Sequence, residues 1–270
     1  MSQAEPLAGR VAVVTGALGN LGPIWIGALL DAGATVAGVD LEAAPVSAAF
    51  GALRDQYGKQ RLQLYRADVR ERAQLDGVRD AILSDLGVPH VLVNNAGIDQ
   101  PPNTDAPQYR LDEIPPDVFQ RVLQVNTFGT FQVSQVFGTE MAKAGRGAIV
   151  NIGSMYAEIA PDMRLYDHLG FEPPFLKPPA YGASKAAVLN MTKYLAGFWG
   201  PHGVRVNALS PGGVLGGQDE EFKRKLNAKI PLRRMAEASD LVGPLVFLAS
   251  DASAYVTGIN LQVDGGITVW

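Results

Sequence analysis

The sequence predicts an α/β protein with one doubly wound parallel sheet, covered by helices on both faces to give three layers. Short β-branched runs alternate with longer amphipathic segments along the chain, as repeated β-α units require, and a glycine-rich turn joins the first run to the first helix. With 270 residues and 47% hydrophobic content, the chain can fill such a core as a single domain spanning residues 1–270, because α/β domains often reach this length.

The first β-α-β unit lies at the start of the chain. A short β-branched run at 11–14 is typical of a buried parallel strand, and residues 15–22, Thr-Gly-Ala-Leu-Gly-Asn-Leu-Gly, form the glycine-rich turn. A proline opens the apolar helix expected over 24–30, since proline is favoured in the first turn of a helix. A second strand over 35–39 ends at Asp40.

The same alternation predicts the remaining elements in order. Further strands are expected at 61–66, 91–93, 148–152, 204–209 and 260–263. Helices are expected at 72–84, 116 to about 144, 183–199, 222–226 and 240–249. Two proline-rich stretches near 98–116 and 155–180 interrupt the alternation, and loops of this length in a compact domain are usually functional or disordered.

Composition excludes several classes of function. The formal net charge is −4 and no long basic run occurs, so neither nucleic acid nor a membrane surface is expected as a partner. Cysteine is absent, which rules out disulfides and thiol chemistry, and the three histidines form no paired motif, so no metal is expected. The N-terminal segment is polar, and no apolar stretch approaches the roughly 20 residues of a membrane helix, so we expect a cytoplasmic protein.

The glycine-rich turn predicts a nucleotide phosphate site, because backbone N–H groups and the positive end of a helix face the ligand there. Asp40 can accept hydrogen bonds from both hydroxyls of an adenosine ribose and would repel a 2′-phosphate. No Arg or Lys lies between Gly16 and Asp40, which favours NAD over NADP. The alternatives are a turn without a ligand and a helix N-cap role for Asp40.

A set of motifs resembles the short-chain dehydrogenase/reductase family in its compact, single-domain form. The residues that carry the resemblance are the turn at 15–22, Asp68-Val69, Asn94-Asn95-Ala96-Gly97, Asn126, Ser154, Tyr181, Lys185, Pro211-Gly212 and Asp264-Gly265-Gly266. In this order, and running almost end to end, they are very specific. The resemblance implies a Rossmann fold, a nicotinamide cofactor and hydride transfer at a carbinol carbon.

The resemblance also assigns the catalytic residues. Tyr181 would be the general acid/base, and Lys185, on the same helix face, would lower its pKa and hydrogen-bond the nicotinamide ribose. Ser154 would hold the reacting oxygen, and Asn126 would help to hold a water in a proton relay to Lys185. Free tyrosine has a pKa near 10, so base work at neutral pH needs a drop of roughly 2 to 3 units, which the Lys185 ammonium and the oxidised nicotinamide would supply.

The resemblance places the cofactor along the carboxyl ends of the strands. Asp68 would bind the adenine amine beside the Val69 backbone, and the Val214 backbone would bind the nicotinamide carboxamide. The expected cofactor contacts are Gly16, Gly19, Asn20, Leu21, Asp40, Leu41, Asp68, Val69, Asn95, Ala96, Gly97, Tyr181, Lys185, Pro211, Gly212 and Val214. The supporting strand-end residues among them are also compatible with ordinary turn chemistry.

The glycine turn departs from the family pattern at one position. The usual second glycine falls at Asn20, whereas here it is Gly19. Asparagine tolerates a positive φ better than other non-glycine residues, so we expect the turn to survive. The spacing Gly16-x-x-Gly19-x-x-Gly22 is similar to that of the extended branch of the family, but too few residues follow Gly266 for a separate substrate domain.

Three loops are expected to form the substrate site: 98–116, 155–180 and a glycine-rich 213–230 that suggests a mobile lid. The first two contribute the polar side chains of Gln100, Asn103, Tyr109, Arg110, Arg164, Tyr166, Asp167, His168 and Lys177. The candidate substrate contacts are Gln100, Ser154, Tyr156, Arg164 and His168. A lipid pocket would favour apolar residues, so this set favours a sugar-like substrate, including an acidic one that meets Arg164 or Lys177. Alternatively, these charges are solvated loop surface or subunit contacts.

The sequence therefore predicts an NAD-dependent dehydrogenase with a small, sugar-like substrate. The first alternative is an NADPH-dependent carbonyl reductase of the 3-oxoacyl kind, against which Asp40 argues. The second is a catalytically silent dinucleotide-binding protein, although such proteins often lose the tyrosine or the lysine that are present here. The resemblance also implies a homo-oligomer, commonly a tetramer.

Overall fold

In the part of the chain that the structure describes, residues 5–100, 102 and 107–270 of a computed structural model, seven strands form one parallel sheet. They are β1 (Val11–Thr15), β2 (Thr35–Asp40), β3 (Leu62–Arg66), β4 (Val91–Asn94), β5 (Gly147–Ile152), β6 (Val204–Pro211) and β7 (Asn260–Val263). Their order is β3-β2-β1-β4-β5-β6-β7, with every neighbouring pair parallel. The order reverses between β1 and β4, and open α/β sheets bind ligands at such a point, beyond the carboxyl ends of the strands.

Helices cover both faces of this sheet. They are α1 (Gly22–Asp31), α2 (Ala48–Tyr57), α3 (Arg72–Asp85), α4 (Pro116–Leu123), α5 (Thr130–Lys143), α6 (Pro179–Trp199), α7 (Glu220–Lys229) and α8 (Ala238–Ala249). On one face α1 packs against α2 and α8, whereas on the other α5 packs against α3 and α6. The predicted three-layer Rossmann fold is confirmed.

Alternate residues of β1 supply the two halves of the core. Ala12 and Val14 belong to the apolar cluster beneath α1 and α8. Val11 and Val13 belong to the cluster beneath α3, α5 and α6. Because both faces of the strand are buried, its first four residues are all apolar rather than every second one, and this run at 11–14 indicates the strand in the sequence.

Three helical segments differ from the sequence prediction. The pattern does not predict α2, because Phe50 is the one residue of that helix that is buried. A Ser47 N-cap, whose side chain accepts from the Phe50 N–H at 3.4 Å, starts the helix instead. The helix expected over 116–144 is divided by a wider π turn at Gln124–Gly129 between α4 and α5. The short helix expected at 222–226 extends over all of α7.

No helix among the described residues is long and apolar enough to cross a membrane. The same part of the chain holds no group of three His, Asp or Glu side chains placed to bind a metal ion. The cytoplasmic location stays a prediction.

Candidate active site

The glycine-rich turn lies close against the end of β4 because two of its residues have no side chain. Gly16 has a φ of +65°, and a Cβ on it would lie 2.9 Å from Ala96 Cα. A Cβ on Gly22 would lie 2.3 Å from the Gly16 carbonyl oxygen. Gly19 is less constrained, since its Cβ would lie 3.5 Å from that oxygen. Glycine is therefore required at both ends of the turn.

Asn20 does not adopt the positive φ that asparagine tolerates and that we expected at this position. Within residues 5–100, 102 and 107–270, Arg233 is the only non-glycine residue with a positive φ. Asn20 is exposed, and Gly16 takes the left-handed conformation that the turn requires. The turn survives the change of glycine spacing because the backbone at position 20 lies outside the region that only glycine readily adopts.

Asn95 braces this turn from the end of β4. Its side-chain amide donates to the carbonyl oxygens of Thr15 and Gly16, both at 3.0 Å. Its Oδ1 accepts from Trp25 Nε1 at 2.8 Å. Thr15 Oγ1 accepts in return from the N–H groups of Asn95 and Ala96, each at 3.1 Å. The Asn95 side chain thus shapes the turn, while the backbone at Ala96 and Gly97 borders the crevice.

Asp40 connects the turn to β2. Its carboxylate accepts from the N–H groups of Leu18 at 2.7 Å and Leu41 at 2.8 Å. A carboxylate has roughly four acceptor positions, so about two remain for ribose hydroxyls. Arg66 stands opposite Asp40 in the sheet register, and its guanidinium donates to the Leu41 oxygen at 2.6 Å. A cation therefore lies beside Leu41, the residue after Asp40. The absence of Arg and Lys between Gly16 and Asp40 gave no indication of it, because Arg66 belongs to the next strand.

The expected adenine-binding residues lie at the end of β3. Asp68 pairs with Arg70 at 2.6 Å, and hydrogen bonds from Arg70 lower the pKa of the Asp68 carboxyl. Val69 is buried, and its carbonyl oxygen accepts from Gln132 Nε2 at 3.2 Å. Gly129, in the π turn, packs on Val69 so closely that a Cβ would lie 2.6 Å from Val69 Cγ2. The π turn thus supports the strand end that carries both residues.

Tyr181 and Lys185 lie one turn apart on α6, beyond the carboxyl end of β5. Lys185 is buried, its Nζ donates to the Ile152 oxygen at 2.8 Å, and it lies 5.9 Å from the centroid of the Tyr181 ring. Ser154 follows β5 and hydrogen-bonds the Tyr181 hydroxyl. The ring of Tyr156 meets that of Tyr181 edge to face, with centroids 6.5 Å apart. The structure thus brings the predicted serine, tyrosine and lysine together.

Burial shapes the protonation of this group. It raises the pKa of the Tyr181 phenol above its usual value, and the charge of Asp99 adds to this effect, whereas the hydrogen bond from Ser154 opposes it. Burial also lowers the pKa of Lys185 to about 8, against the charge of Asp99. Without cofactor, Tyr181 is therefore held in its protonated form, and base work requires more positive charge than the protein alone places there.

Asn126 lies in the π turn rather than in a regular helix. Its amide donates to the Ile98 oxygen and to Ser184 Oγ, both at 3.0 Å, and its Oδ1 accepts from the Ile98 N–H at 2.8 Å. A Cβ on Gly97 would lie 3.3 Å from Asn126 Oδ1 and 3.6 Å from Lys185 Nζ. Wider turns of this kind are frequent at functional sites, and this one brings Asn126 to Lys185.

The segment after β6 closes the far side of the crevice. The Gly212 N–H donates to the Val263 oxygen at 3.0 Å, and a Cβ on Gly212 would lie 2.8 Å from Asp264 Cα. Val214 pairs with Ala236 in a short parallel bridge. Pro211, Gly212 and Val214 thus lie at the carboxyl edge of the sheet, as expected for residues that border a nicotinamide.

One ion pair beside Tyr181 joins the first two loops. The sequence analysis named Lys177 only as a cation that an acidic substrate could meet, and it did not name Asp99. The Lys177 ammonium pairs with the Asp99 carboxylate. Lys177 Nζ also lies 5.3 Å from the ring centroid of Tyr181 and 5.9 Å from that of Tyr156. The one signal in the sequence was a single lysine in an otherwise apolar, proline-rich stretch.

The other candidate substrate residues have partners of their own. The Arg164 side chain is 82% exposed and pairs with Asp162 at 2.9 Å. His168 Nε2 lies 2.7 Å from Asp219 Oδ1, at the start of α7. Gln100 Nε2 donates to the Pro107 oxygen at 3.2 Å within its own loop. Asn103 lies outside the described residues. Of the five candidates, Ser154 and Tyr156 contact Tyr181.

Ion pairs also join the loop at 155–180 to α7. Lys225 pairs with Asp167, and Lys229 pairs with Asp162 at 2.5 Å. Between the two segments lies a cavity of about 300 Å³, bordered by the Tyr156 side chain. The predicted substrate loops 155–180 and 213–230 therefore form one wall next to Tyr156.

These residues fit a nicotinamide dinucleotide. Gly16 and Gly22 keep side chains away from the N-terminal end of α1, where a phosphate would bind. Asp40 retains acceptor positions for a ribose, and Tyr181 with Lys185 lies beyond β5 on the same carboxyl edge of the sheet.

Comparisons with known proteins agree with this arrangement. A family model described as enoyl-(acyl carrier protein) reductase matches residues 26–268. D-threitol dehydrogenase from Mycolicibacterium smegmatis is 34% identical over 285 residues, covering 100% of both chains. A gluconate 5-dehydrogenase from Burkholderia cenocepacia, solved with NADP and tartrate, has a TM-score of 0.84 at 30% identity and 98% coverage of both chains. A short chain dehydrogenase from Leptospira borgpetersenii with bound NAD⁺ has a TM-score of 0.83 at 32% identity, covering 98% of this chain and 94% of that one.

Fold, site and comparisons agree along almost the whole chain. The chain belongs to the short-chain dehydrogenase/reductase family, oxidoreductases that act on CH–OH groups with a nicotinamide dinucleotide as cofactor.

Proposed function

We propose that the protein is an NAD-dependent dehydrogenase that oxidises a carbinol carbon of a neutral or acidic sugar-like substrate. The observation that carries the proposal is the group of half-buried Tyr181 with buried Lys185 and Ser154, and with Asn126 beside Lys185, beyond the carboxyl end of β5. The similarity to a threitol dehydrogenase and to a gluconate dehydrogenase supports a polyhydroxylated substrate. The polar and charged residues of the loop at 155–180 support it independently.

Four side chains share the work of holding the substrate and moving its proton. Ser154 holds the carbinol oxygen next to the Tyr181 hydroxyl, which takes the hydroxyl proton in oxidation and returns it in reduction. Lys185 keeps an ammonium beside the Tyr181 ring, and the Ile152 oxygen fixes its position. Asn126 clamps Ile98 to α6 and so fixes the gap between Gly97 and Lys185. When bound, the oxidised nicotinamide accepts the hydride and adds the positive charge that lowers the pKa of Tyr181.

We propose NAD rather than NADP because of the Asp40 carboxylate, which would repel a 2′-phosphate. Arg66 works against this preference, since its guanidinium lies beside Leu41. We therefore expect Asp40→Asn to narrow the preference for NAD⁺ over NADP⁺ by about tenfold or more, as one like-charge repulsion is lost. The amide oxygen still accepts from the Leu18 N–H, so the turn keeps its shape.

The preference is measured as the ratio of kcat/KM for the two cofactors. Asp55→Asn, on the exposed face of α2, removes the same charge away from the turn and should leave the ratio unchanged. An unchanged ratio in Asp40→Asn would refute the assignment of Asp40.

The function itself is tested by NADH formation from NAD⁺ with neutral sugars and polyols, sugar acids and simple secondary alcohols. We expect turnover with polyhydroxylated compounds at a kcat/KM well above that of the simple alcohols. Turnover of apolar alcohols alone would show that the loops at 98–116 and 155–180 are not a polar substrate site. Absent turnover with intact NAD⁺ binding would favour a silent dinucleotide-binding protein.

An acyl-thioester reductase is the second candidate, because the matching family model carries that description and Arg66 lies near the cofactor turn. It predicts NADPH-dependent reduction of an acyl thioester, either at the C=C bond of an enoyl group or at the carbonyl of a 3-oxoacyl group. The oxidation of NADH and of NADPH, each measured with ketoses and with acyl thioesters, separates the two functions.

We also propose a homo-oligomer, a tetramer by family resemblance. Tyr194 and Phe198 stack on each other on the outer face of α6 and are exposed, as are Phe128 and Phe131 where the π turn meets α5. Exposed aromatic groups of this kind are enriched at interfaces. Light scattering at several protein concentrations measures the subunit number.

A further inference from the structure

The Asp99–Lys177 ion pair lies beside the reacting group but has no part in the proton chemistry described above. Asp99 follows the cofactor-binding end of β4, and Lys177 precedes α6 by two residues. The Lys177 side chain is only 6% exposed, whereas that of Asp99 is 36% exposed. The ammonium is thus enclosed by protein on most sides, while the carboxylate is partly open to solvent.

Stability alone is a weak reason for such a pair. Removing an ammonium from water costs several kcal/mol, and apolar residues of similar size often replace buried ion pairs without loss. The faces of Tyr156 and Tyr181 offset part of that cost, because both rings lie within 6 Å of the ammonium. The arrangement instead places one strong donor and one strong acceptor next to Tyr181, within reach of groups that flank a bound carbinol.

We propose that Asp99 and Lys177 together recognise a hydroxyl group next to the reacting carbinol and select neutral polyols against sugar acids. This inference rests on the proposed function and narrows it to one charge class. A hydroxyl donates to the Asp99 carboxylate and accepts from the Lys177 ammonium, so it satisfies both members of the pair.

The charge of the Asp99 carboxylate favours neutral substrates over acidic ones. Asp99 already neutralises Lys177, and Asp99 is the more exposed partner, so a substrate carboxylate would meet a like charge. Asp162 is also the ion-pair partner of both Arg164 and Lys229, the cations at the cavity beside Tyr156. Arg164 and Lys177, the loop cations that seemed suited to an acidic sugar, therefore each have a carboxylate partner within the protein.

The test compares kcat/KM for threitol, gluconate and propan-2-ol in the wild type, Asp99→Asn and Lys177→Met. Asp99 also raises the pKa of Tyr181, so ratios between substrates are used, in which any change at Tyr181 cancels. We expect the wild type to prefer threitol, and Asp99→Asn to shift the ratio toward gluconate by about tenfold or more. Lys177→Met should raise KM for threitol by about tenfold and leave KM for propan-2-ol within about twofold, with partial rescue in Lys177→Arg.

Lys143→Met is the matched control, because it removes a lysine–carboxylate ion pair to Glu140 on α5, outside the substrate loops, and should leave the substrate ratios unchanged. Cofactor affinity and thermal unfolding verify that each variant is folded. The inference would be overturned if the kcat/KM ratios between substrates were the same in Asp99→Asn and Lys177→Met as in the wild type. It would also be overturned if the wild type preferred gluconate. In both cases the proposed function would stand. A wild type that turns over no sugar or polyol would overturn both.

Discussion

Replacing Tyr181 with phenylalanine should lower kcat by about 10³-fold, within the range that a positioned acid/base supplies. The dissociation constant of NAD⁺ should stay within about threefold of the wild-type value, since the substitution removes one hydroxyl that Ser154 shares and leaves the ring in place. The expected result is therefore a protein that binds NAD⁺ almost normally and has very little catalytic activity.

Steady-state kinetics measure kcat, and calorimetric titration with NAD⁺ measures its dissociation constant. Tyr156→Phe is the matched control, because Tyr156 is half-buried like Tyr181 and its ring packs edge to face on that of Tyr181. Loss of one ordinary hydrogen bond there should cost no more than about tenfold. Turnover of Tyr181→Phe within tenfold of wild type would contradict the assignment of the acid/base.

Replacing Lys185 with methionine should abolish turnover and yet stabilise the folded protein at pH 7 by about 2 kcal/mol. Burial lowers the pKa of Lys185 from 10.5 to about 8. A pKa lowered by this much corresponds to about 3 kcal/mol spent on burying the ammonium. Loss of the hydrogen bond to the Ile152 oxygen offsets about 1 kcal/mol of the gain. Lys185 thus supports catalysis but lowers the free energy of unfolding of the protein.

The pH dependence of this effect has a definite sign. The folded pKa lies below the unfolded one, so between about pH 8 and 10.5 the unfolded state binds more protons than the folded state. The free energy of unfolding of the wild type therefore rises with pH in that window. Methionine does not titrate, so the advantage of the variant should narrow as the pH increases above 8.

Urea unfolding at about pH 7 and about pH 10, at one protein concentration, measures this difference. Lys193→Met removes a lysine from the exposed face of the same helix and should change the free energy of unfolding by less than about 0.5 kcal/mol at both pH values. Burial of the ammonium would not be costly if the free energy of unfolding of Lys185→Met at pH 7 were lower than that of the wild type. The same would follow if the difference between the two proteins were equal at both pH values.

Most of the fold was accessible from local patterns. The central strands are apolar on both faces, and their positions follow from runs such as 11–14. Tyr181 and Lys185 share a helix face, so their pairing also follows from spacing. The pattern did not reveal α2, because a helix that buries a single large residue has almost no apolar periodicity. The π turn at Gln124–Gly129 was equally hidden, since the helical period continues through it.

Local patterns of the sequence were sufficient for the strands, most helices and the glycine turn, because each depends on neighbours within a few positions. The family followed from the order of motifs along almost the whole chain. Contacts between distant segments depend on packing. Arg66 reaches the Asp40 region because β3 pairs with β2, and Lys177 meets Asp99 because two loops close over α6. A lone charge in a loop has no partner that spacing can reveal; its partner exists only once the sheet order has brought two strand ends together.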